Sequence, residues 1–440
     1  MTGEHKLASY PLFPLTADVD EKGHLTLGGC DSLALAGEYG TPLYVFDEAD
    51  LRARCAEFKR EFGGRYPDTA VLYASKAFTS RALLRIIKEE GLGLDVVSGG
   101  EMSIARAVDF PMETVYFHGN NKSAAELRQA LDSGVGRIVV DNFQEMEMLD
   151  ALAGGQGCKA DVLLRLTPGI DPHTHAYNST GVIDSKFGFT LSDWPRAVAV
   201  ARAAANLNLI GLHCHLGSGL HETEPYRKAI EVILDFAALM QREHGFTMKE
   251  FDIGGGYGVA YTMEEKPLPV SQFAEVITGL VKEKCNKLGP DLPRLLVEPG
   301  RSIVARAAVA LYTVGVVKEI PGVRCYIAVD GGMGDNIRHA LYQARHEAVL
   351  ANKALEKAAG KVTVAGKFCE SGDILIRDIN LPEVAAGDIL AVADCGAYCL
   401  PLASNYNANP RPAVVMVKDG QSRLIRRRET SEDLMRCDVA

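Results

Sequence analysis

Eight times between Val71 and Val297 a short apolar run gives way to a helix-patterned stretch, and no other feature of this 440-residue sequence restricts its fold so tightly. The runs are 71–75, 94–97, 114–117, 137–140, 161–166, 209–212, 251–253 and 295–297. Predominantly apolar runs of this length, bounded by Gly, Asp and Asn, suit parallel strands buried on both faces. Eight of them with intervening helices predict a (β/α)8 TIM-type barrel, whose chemistry gathers at the C-terminal ends of its strands. The residues at those ends are polar or glycine-rich. They are Lys76, Ser98-Gly99-Gly100-Glu101, His118-Gly119-Asn120-Asn121, Asp141-Asn142, Thr167-Pro168-Gly169, His213 to Ser218, Gly254 to Gly258, and Glu298-Pro299-Gly300-Arg301. The pattern predicts an enzyme.

The length exceeds one ordinary core, so a second domain is expected. After Ile303 the texture changes to short β-type runs at 307–318, 324–329, 361–364, 389–392 and 413–418, separated by Gly, Pro and Asp. These predict an all-β C-terminal domain. A strand near Tyr44 is expected to join it, followed by a helix over 51–62 with Asp47 or Asp50 as its N-cap. The expected division is an N-terminal segment 1–46 contributing to the β domain, a barrel over 47–306 and the β domain over 307–440. The long stretch 168–189, rich in Gly, His, Ser and Thr, reads as an active-site loop.

A formal net charge of −10 argues against nucleic-acid binding, which needs a basic surface. The basic cluster from Arg423 to Arg428 runs at once into Glu429, Glu432 and Asp433, as a solvated or interface strand would. No run approaches membrane-spanning length, and residues 1–14 lack the apolar core of a signal peptide. The ten cysteines show no CxxC pairs, which suits reduced thiols and a cytoplasmic address.

Lys76 closes a buried strand. A lysine there either snorkels to the rim or stays as a depressed-pKa amine able to form a Schiff base. Gly254-Gly255-Gly256-Tyr257-Gly258 would let backbone N–H groups approach a phosphate, although a tight turn is the plain alternative. The run does not complete a GxGxxG fingerprint, because Val259 and Tyr261 stand where the last glycine would fall. His213-Cys214-His215 would place two imidazoles on one strand face. That allows a metal site with His118 or Asp141, or a ring stacked on an aromatic cofactor, and no ligand pattern links them. Glu298, alone, would be a rim carboxylate. Beside a pyridinium nitrogen it would keep pyridoxal phosphate protonated as an electron sink. Together, the lysine, glycines, histidine and acid make a cofactor site. In the β domain, Cys369-Glu370-Ser371-Gly372-Asp373 does not read as core, which makes Cys369 a candidate proton donor, whereas Cys395 and Cys399 read as buried hydrophobes.

These residues resemble the fold-type III pyridoxal-phosphate decarboxylases, from about Pro42 to the C-terminus. The likeness is carried by Tyr73-Ala74-Ser75-Lys76-Ala77, the stretch from Asp95 to Glu101, the loop from Thr174 to Gly188, His215-Leu216-Gly217-Ser218, the glycine run and Glu298 to Arg301. It continues through Arg338 to Tyr342, Cys369 to Asp373, Gly396-Ala397-Tyr398, Ser404 to Asn407 and the tail from Arg426 to Leu434. The tail and the Cys369 loop point to the diaminopimelate branch. The resemblance implies pyridoxal 5′-phosphate held covalently by Lys76, stacked on by His215 and faced by Glu298 at its ring nitrogen. Ser218, Gly255, Gly256 and the turn through Gly300 and Arg301 would hold its phosphate, with Asp95 and Tyr398 also at the cofactor. Arg301, Arg338, Tyr342, Glu370 and Tyr398 would bind substrate, and Cys369 would donate a proton. No metal is implied. The family forms its sites at a homodimer interface, with the cysteine loop supplied by the other subunit. Phe78 and His339 depart from many relatives, at positions without an assigned role.

The substrate expected is meso-2,6-diaminopimelate, giving L-lysine and CO2. Relatives acting on ornithine, arginine or carboxynorspermidine, a racemase of similar barrel, a non-catalytic pyridoxal-phosphate carrier, and a metal hydrolase built on His213 and His215 are the alternatives.

Overall fold

The computed structural model describes residues 11–170 and 184–439. Within the expected 168–189 loop and the Thr174-to-Gly188 motif, residues 171–183 lie outside the described residues. Contacts divide the chain into two compact units, Met1–Ala53 with Val259–Lys266 and Arg301–Ala440, and Arg54–Gly258 with Pro267–Gly300.

The second unit is a closed barrel of eight parallel strands. In chain order they are Thr69–Ala74, Gly93–Val96, Val115–Phe117, Arg137–Val140, Ala160–Arg165, Leu207–His213, Glu250–Asp252 and Arg294–Val297. Each predicted run lies on one of them, because a strand enclosed by barrel interior and outer helices has no wet face and therefore reads as a continuous apolar run. Leu72, Tyr116, Val139, Leu163, Ile210 and Leu296 fill one interior layer. Nearby, Glu250 accepts from the Tyr116 hydroxyl at 3.0 Å and from the Arg137 guanidinium at 2.8 Å, which satisfies a buried carboxylate.

Several polar strand ends prove to be helix caps. The Ser98 hydroxyl accepts from Glu101 N, and Asn142 Oδ1 from Glu145 N. Ser123 and Glu126 form a full capping box at the head of Ala124–Asp132. Each satisfies backbone N–H groups that a helix start leaves unpaired.

In the first unit a nine-stranded sheet is organised around Ala308–Ile320. Its first half pairs antiparallel with Leu43–Asp47 and Ile389–Val392, and its second half with Arg324–Val329. The strand near Tyr44 joins this sheet, as expected from the sequence, and also pairs parallel with Ala413–Lys418. Asp47 caps the following helix, Glu48–Gly63, by accepting from Ala49 N at 2.8 Å and Asp50 N at 3.2 Å. Val45, Val309, Leu311, Ala391, Val415 and Leu25 share one core. Gln421–Arg426 is a strand, as the basic cluster suggested, whereas Ala348–Leu350, Ile374–Leu381 and a small three-stranded sheet within residues 18–31 were not expected from the sequence. The sequence reading also left Val259–Lys266 in the barrel, whereas its contacts are with the β unit. The basic cluster is held within its own unit, Arg423 to Glu48 at 2.9 Å and Arg428 to the Pro42 carbonyl at 2.8 Å. Among the described residues no helix is long and apolar enough to cross a membrane.

Candidate active site

In the barrel unit, Lys76 sits on a 3-10 turn, Ser75–Ala77, directly after the first strand. Its Nζ meets the carboxylate of Asp95, whose side chain is wholly buried on the second strand. The pairing pins the amine over the barrel mouth. His215 lies past the end of the sixth strand, and its Nδ1 accepts from Gly255 N at 3.2 Å. A ring nitrogen that accepts carries no proton, so this imidazole is neutral with its hydrogen on Nε2. Burial first, then the charges of Lys76 and Arg165, push its pKa well down.

The glycine turn has no room for side chains. A Cβ on Gly255 would lie 2.0 Å from the Glu298 carbonyl oxygen, and one on Gly256, at φ +108°, 2.4 Å from that of Gly217. Glu298 N donates to the Gly254 carbonyl at 2.9 Å and Leu220 N to that of Gly256 at 2.8 Å. Three strand-end loops are thus laced into one backbone cradle, with Ser218 in the loop after the sixth strand and Gly300 following Glu298.

Beneath it is a buried cluster that the sequence did not reveal as a unit. Glu298 is 3% exposed, and its Oε1 lies 2.7 Å from His118 Nε2 and its Oε2 3.5 Å from His213 Nε2. Asp252 adds a fourth donor, all four within 4.8 Å of one another. Two buried carboxyls this close cannot both ionise. Burial raises the pKa of both. For Glu298 the facing histidines outweigh it and hold the carboxyl well below its usual range, whereas Asp252, with Glu298 against it, is pushed well up. Glu298 is therefore the anion and Asp252 the neutral acid. The pairing of His213 with His215 on one strand face is not what the structure builds. The strand ends at His213, which joins Glu298, while His215 joins the glycine turn.

In the β unit, Arg301, Arg338 and Tyr398 are brought together, with Tyr261 between them. Arg301 lies 4.8 Å from the Tyr398 ring centre and donates to the Tyr261 hydroxyl at 2.7 Å. Arg338 stacks 4.1 Å over the Tyr261 ring. It is 4% exposed, and its Nε has no hydrogen-bond partner among the described residues. Tyr398 has φ +60°, a left-handed conformation costing ~1–3 kcal/mol in a non-glycine residue and typical of functional sites. Tyr342 ends the short helix Arg338–Tyr342. Cys369 and Glu370 make none of these contacts. Both are exposed, on a loop whose Cys369 N donates to Asn407 Oδ1 at 2.9 Å.

His346 was also missed. Its Nδ1 lies 3.1 Å from the Ala393 carbonyl, which can only accept, so Nε2 is the lone pair 3.3 Å from Arg338 Nη1. Burial and then Arg338 push its pKa down to about 3, and burial above all does the same to His213, also to about 3. An unfolded imidazole titrates near ~6.5, so from there towards pH 3 the unfolded chain binds protons the fold refuses. Stability is thus lost as pH falls, by up to ~2 kcal/mol per histidine between pH 6.5 and 5. The thermal midpoint should drop several degrees from pH 7 to pH 5, and by less in His346→Gln. Equal acid sensitivity of the two proteins would discount His346.

The donor set fits pyridoxal phosphate. It offers an amine, a buried anion at a barrel-strand end, a flat neutral imidazole and a backbone cradle too tight for any Cβ. Residues 48–305 match the family model for the pyridoxal-binding domain of pyridoxal-dependent decarboxylases. The chain is 49% identical over 426 residues to the diaminopimelate decarboxylase of Bacillus subtilis, covering 96% of this chain and 97% of that one. It is 44% identical to that of Corynebacterium efficiens, covering 97% and 94%. Among solved structures, M. jannaschii diaminopimelate decarboxylase superposes with a TM-score of 0.90 at 32% identity, covering 97% of this chain and 98% of that one. The Helicobacter pylori enzyme complexed with L-lysine gives 0.85 at 31% identity, covering 92% and 98%. The chain belongs to the diaminopimelate decarboxylase family of pyridoxal-dependent decarboxylases.

Proposed function

We propose that this protein converts meso-2,6-diaminopimelate to L-lysine and CO2 with pyridoxal 5′-phosphate, as the final step of bacterial lysine synthesis. The observation that carries the reading is Glu298, an ionised carboxylate fixed at a barrel-strand end by two histidines, a placement suited to a pyridinium nitrogen. Pyridoxal phosphate supplies an electron sink for the pair released when CO2 leaves. Lys76 is the attachment point, kept in place by Asp95. His215 presents its ring face, fixed by its bond to Gly255. Gly255, Gly256, Ser218 and the turn through Gly300 and Arg301 offer the phosphate its N–H and hydroxyl groups. Tyr398 reaches cofactor and substrate, and Cys369 returns a proton to the carbon that lost its carboxylate.

Substrate choice follows from charge. Diaminopimelate carries a second ammonium and carboxylate at its far end. Arg301 and Arg338 supply cations whose planar forks match a carboxylate, Glu370 an anion for the ammonium, and Tyr342 a hydroxyl. An ornithine site needs only acids, and a buried arginine facing an ammonium repels it. The exposed Cys369 loop supports a homodimer in which each subunit completes the other's site. Ten free cysteines support a cytoplasmic address.

Product analysis with a panel of amino acids tests the reading. Diaminopimelate should yield lysine, while ornithine, arginine and lysine should be poorer by up to ~10⁴-fold, because an unpaired buried arginine rejects them. Arg338→Ala should raise the Michaelis constant for diaminopimelate far more than it alters cofactor affinity. Efficient ornithine or arginine turnover with diaminopimelate inert would overturn the assignment.

A further inference from the structure

Tyr261 occupies the space between two cations. One face of its ring carries the Arg338 guanidinium at 4.1 Å, and its hydroxyl accepts from Arg301 Nη1 at 2.7 Å. The His346 ring meets it edge-on at 5.5 Å, and its Nε2 accepts from Arg338 Nη1 at 3.3 Å. The tyrosine is itself fixed, because its N–H and that of Thr262 both donate to the Glu265 carboxylate, at 2.6 and 3.3 Å. An aromatic face attracts a cation, and a phenolic oxygen accepts from one. A single side chain thus offsets the mutual repulsion of two guanidinium groups and sets their separation. Arg338 is buried with an unpartnered Nε among the described residues, an arrangement that is costly unless a ligand anion completes it.

We propose that Tyr261 is a positioning residue that holds Arg301 and Arg338 as one paired receptor for the far carboxylate of the substrate, and thereby sets the preference for amino acids carrying that carboxylate over simple diamines. The inference rests on the reading that these arginines bind that carboxylate. His346 backs the same receptor from the other side of Arg338. Tyr261 touches neither cofactor nor reacting carbon in this scheme. Its loss should therefore be felt in binding of the far end and not in the chemical step.

The test compares ligands with and without the carboxylate. L-lysine carries it, and 1,5-diaminopentane is the same skeleton without it. Tyr261→Phe keeps the ring under Arg338 and removes the bond to Arg301, whereas Tyr261→Leu removes both. In Tyr261→Phe the inhibition constant of L-lysine and the Michaelis constant for diaminopimelate should rise about tenfold, the size of a lost hydrogen bond to a charged group. In Tyr261→Leu they should rise by about a hundredfold. The inhibition constant of 1,5-diaminopentane, kcat, the visible spectrum and cofactor affinity should stay near wild type in the near-isosteric phenylalanine variant. Equal weakening of both inhibitors in Tyr261→Phe, or a fall in kcat with the Michaelis constant unchanged, would overturn the proposal. A wild-type enzyme inert towards diaminopimelate would overturn the functional reading beneath it, and the inference with it.

Discussion

Lys76→Ala should leave a folded protein without covalently held cofactor and without measurable decarboxylation, a loss of at least ~10⁴-fold. The size follows from how the amine is placed. Lys76 stands on a turn fixed by the first barrel strand, and its amine meets Asp95, a buried carboxylate on the neighbouring strand. A truncation removes an amine that a buried anion aims over the barrel mouth. It also leaves Asp95 as a buried charge that has lost its cation, so the thermal midpoint of the cofactor-free protein should fall as well. Borohydride reduction of the wild type should trap the cofactor on the peptide containing Lys76. A label on any other lysine would remove Lys76 from the centre of the site. In Lys76→Arg the positive charge beside Asp95 is kept and the nucleophile is lost. Stability should then recover while activity does not, which separates the two roles of the residue.

The barrel was legible because its strands, with few charged residues among them, have no solvent-facing side to make the apolar runs alternate. Ile374–Leu381 was not, because its burial does not alternate and Asp378 within it adopts φ +60°. The strand-end polar groups divided in an instructive way. Ser98 and Ser123 are each followed three residues later by a glutamate, a sequence signature of a helix start, and both are caps. Lys76, the glycine run and Glu298 lack that signature and stand at the C-terminal ends of the first, seventh and eighth strands. What the sequence concealed is support that crosses long stretches of chain. Asp252 reads as one more polar residue before a glycine run, and only the pairing of the seventh strand with the eighth brings it to Glu298. Tyr261 lies 40 residues from Arg301 and carries no local pattern that would connect it to either arginine. Fold lies in the periodicity of neighbours, whereas the second layer of a site lies in which strands close on which.

Cys369→Ala should bind cofactor normally and lose ~10²–10⁴-fold in turnover, the usual contribution of one positioned acid. The exposed setting of Cys369 gives the result a further consequence. Its loop is held by Asp373, which accepts from Met333 N at 2.6 Å and Phe368 N at 2.8 Å, and by Phe368 stacked on Tyr406 at 5.9 Å. A loop so firmly built, carrying an exposed thiol and an exposed carboxylate, suits presentation to a second subunit. If each site takes its lysine from one chain and its cysteine from the other, Lys76→Ala and Cys369→Ala are defective in different halves of the same site. Mixing the two inactive proteins under conditions of subunit exchange should then restore activity, approaching a quarter of wild type. That fraction follows because half the dimers are mixed, and in each of these one of the two sites has both residues intact. No recovery after demonstrated exchange would place lysine and cysteine in the same chain. Wild-type turnover by Cys369→Ala alone would assign the proton to another donor.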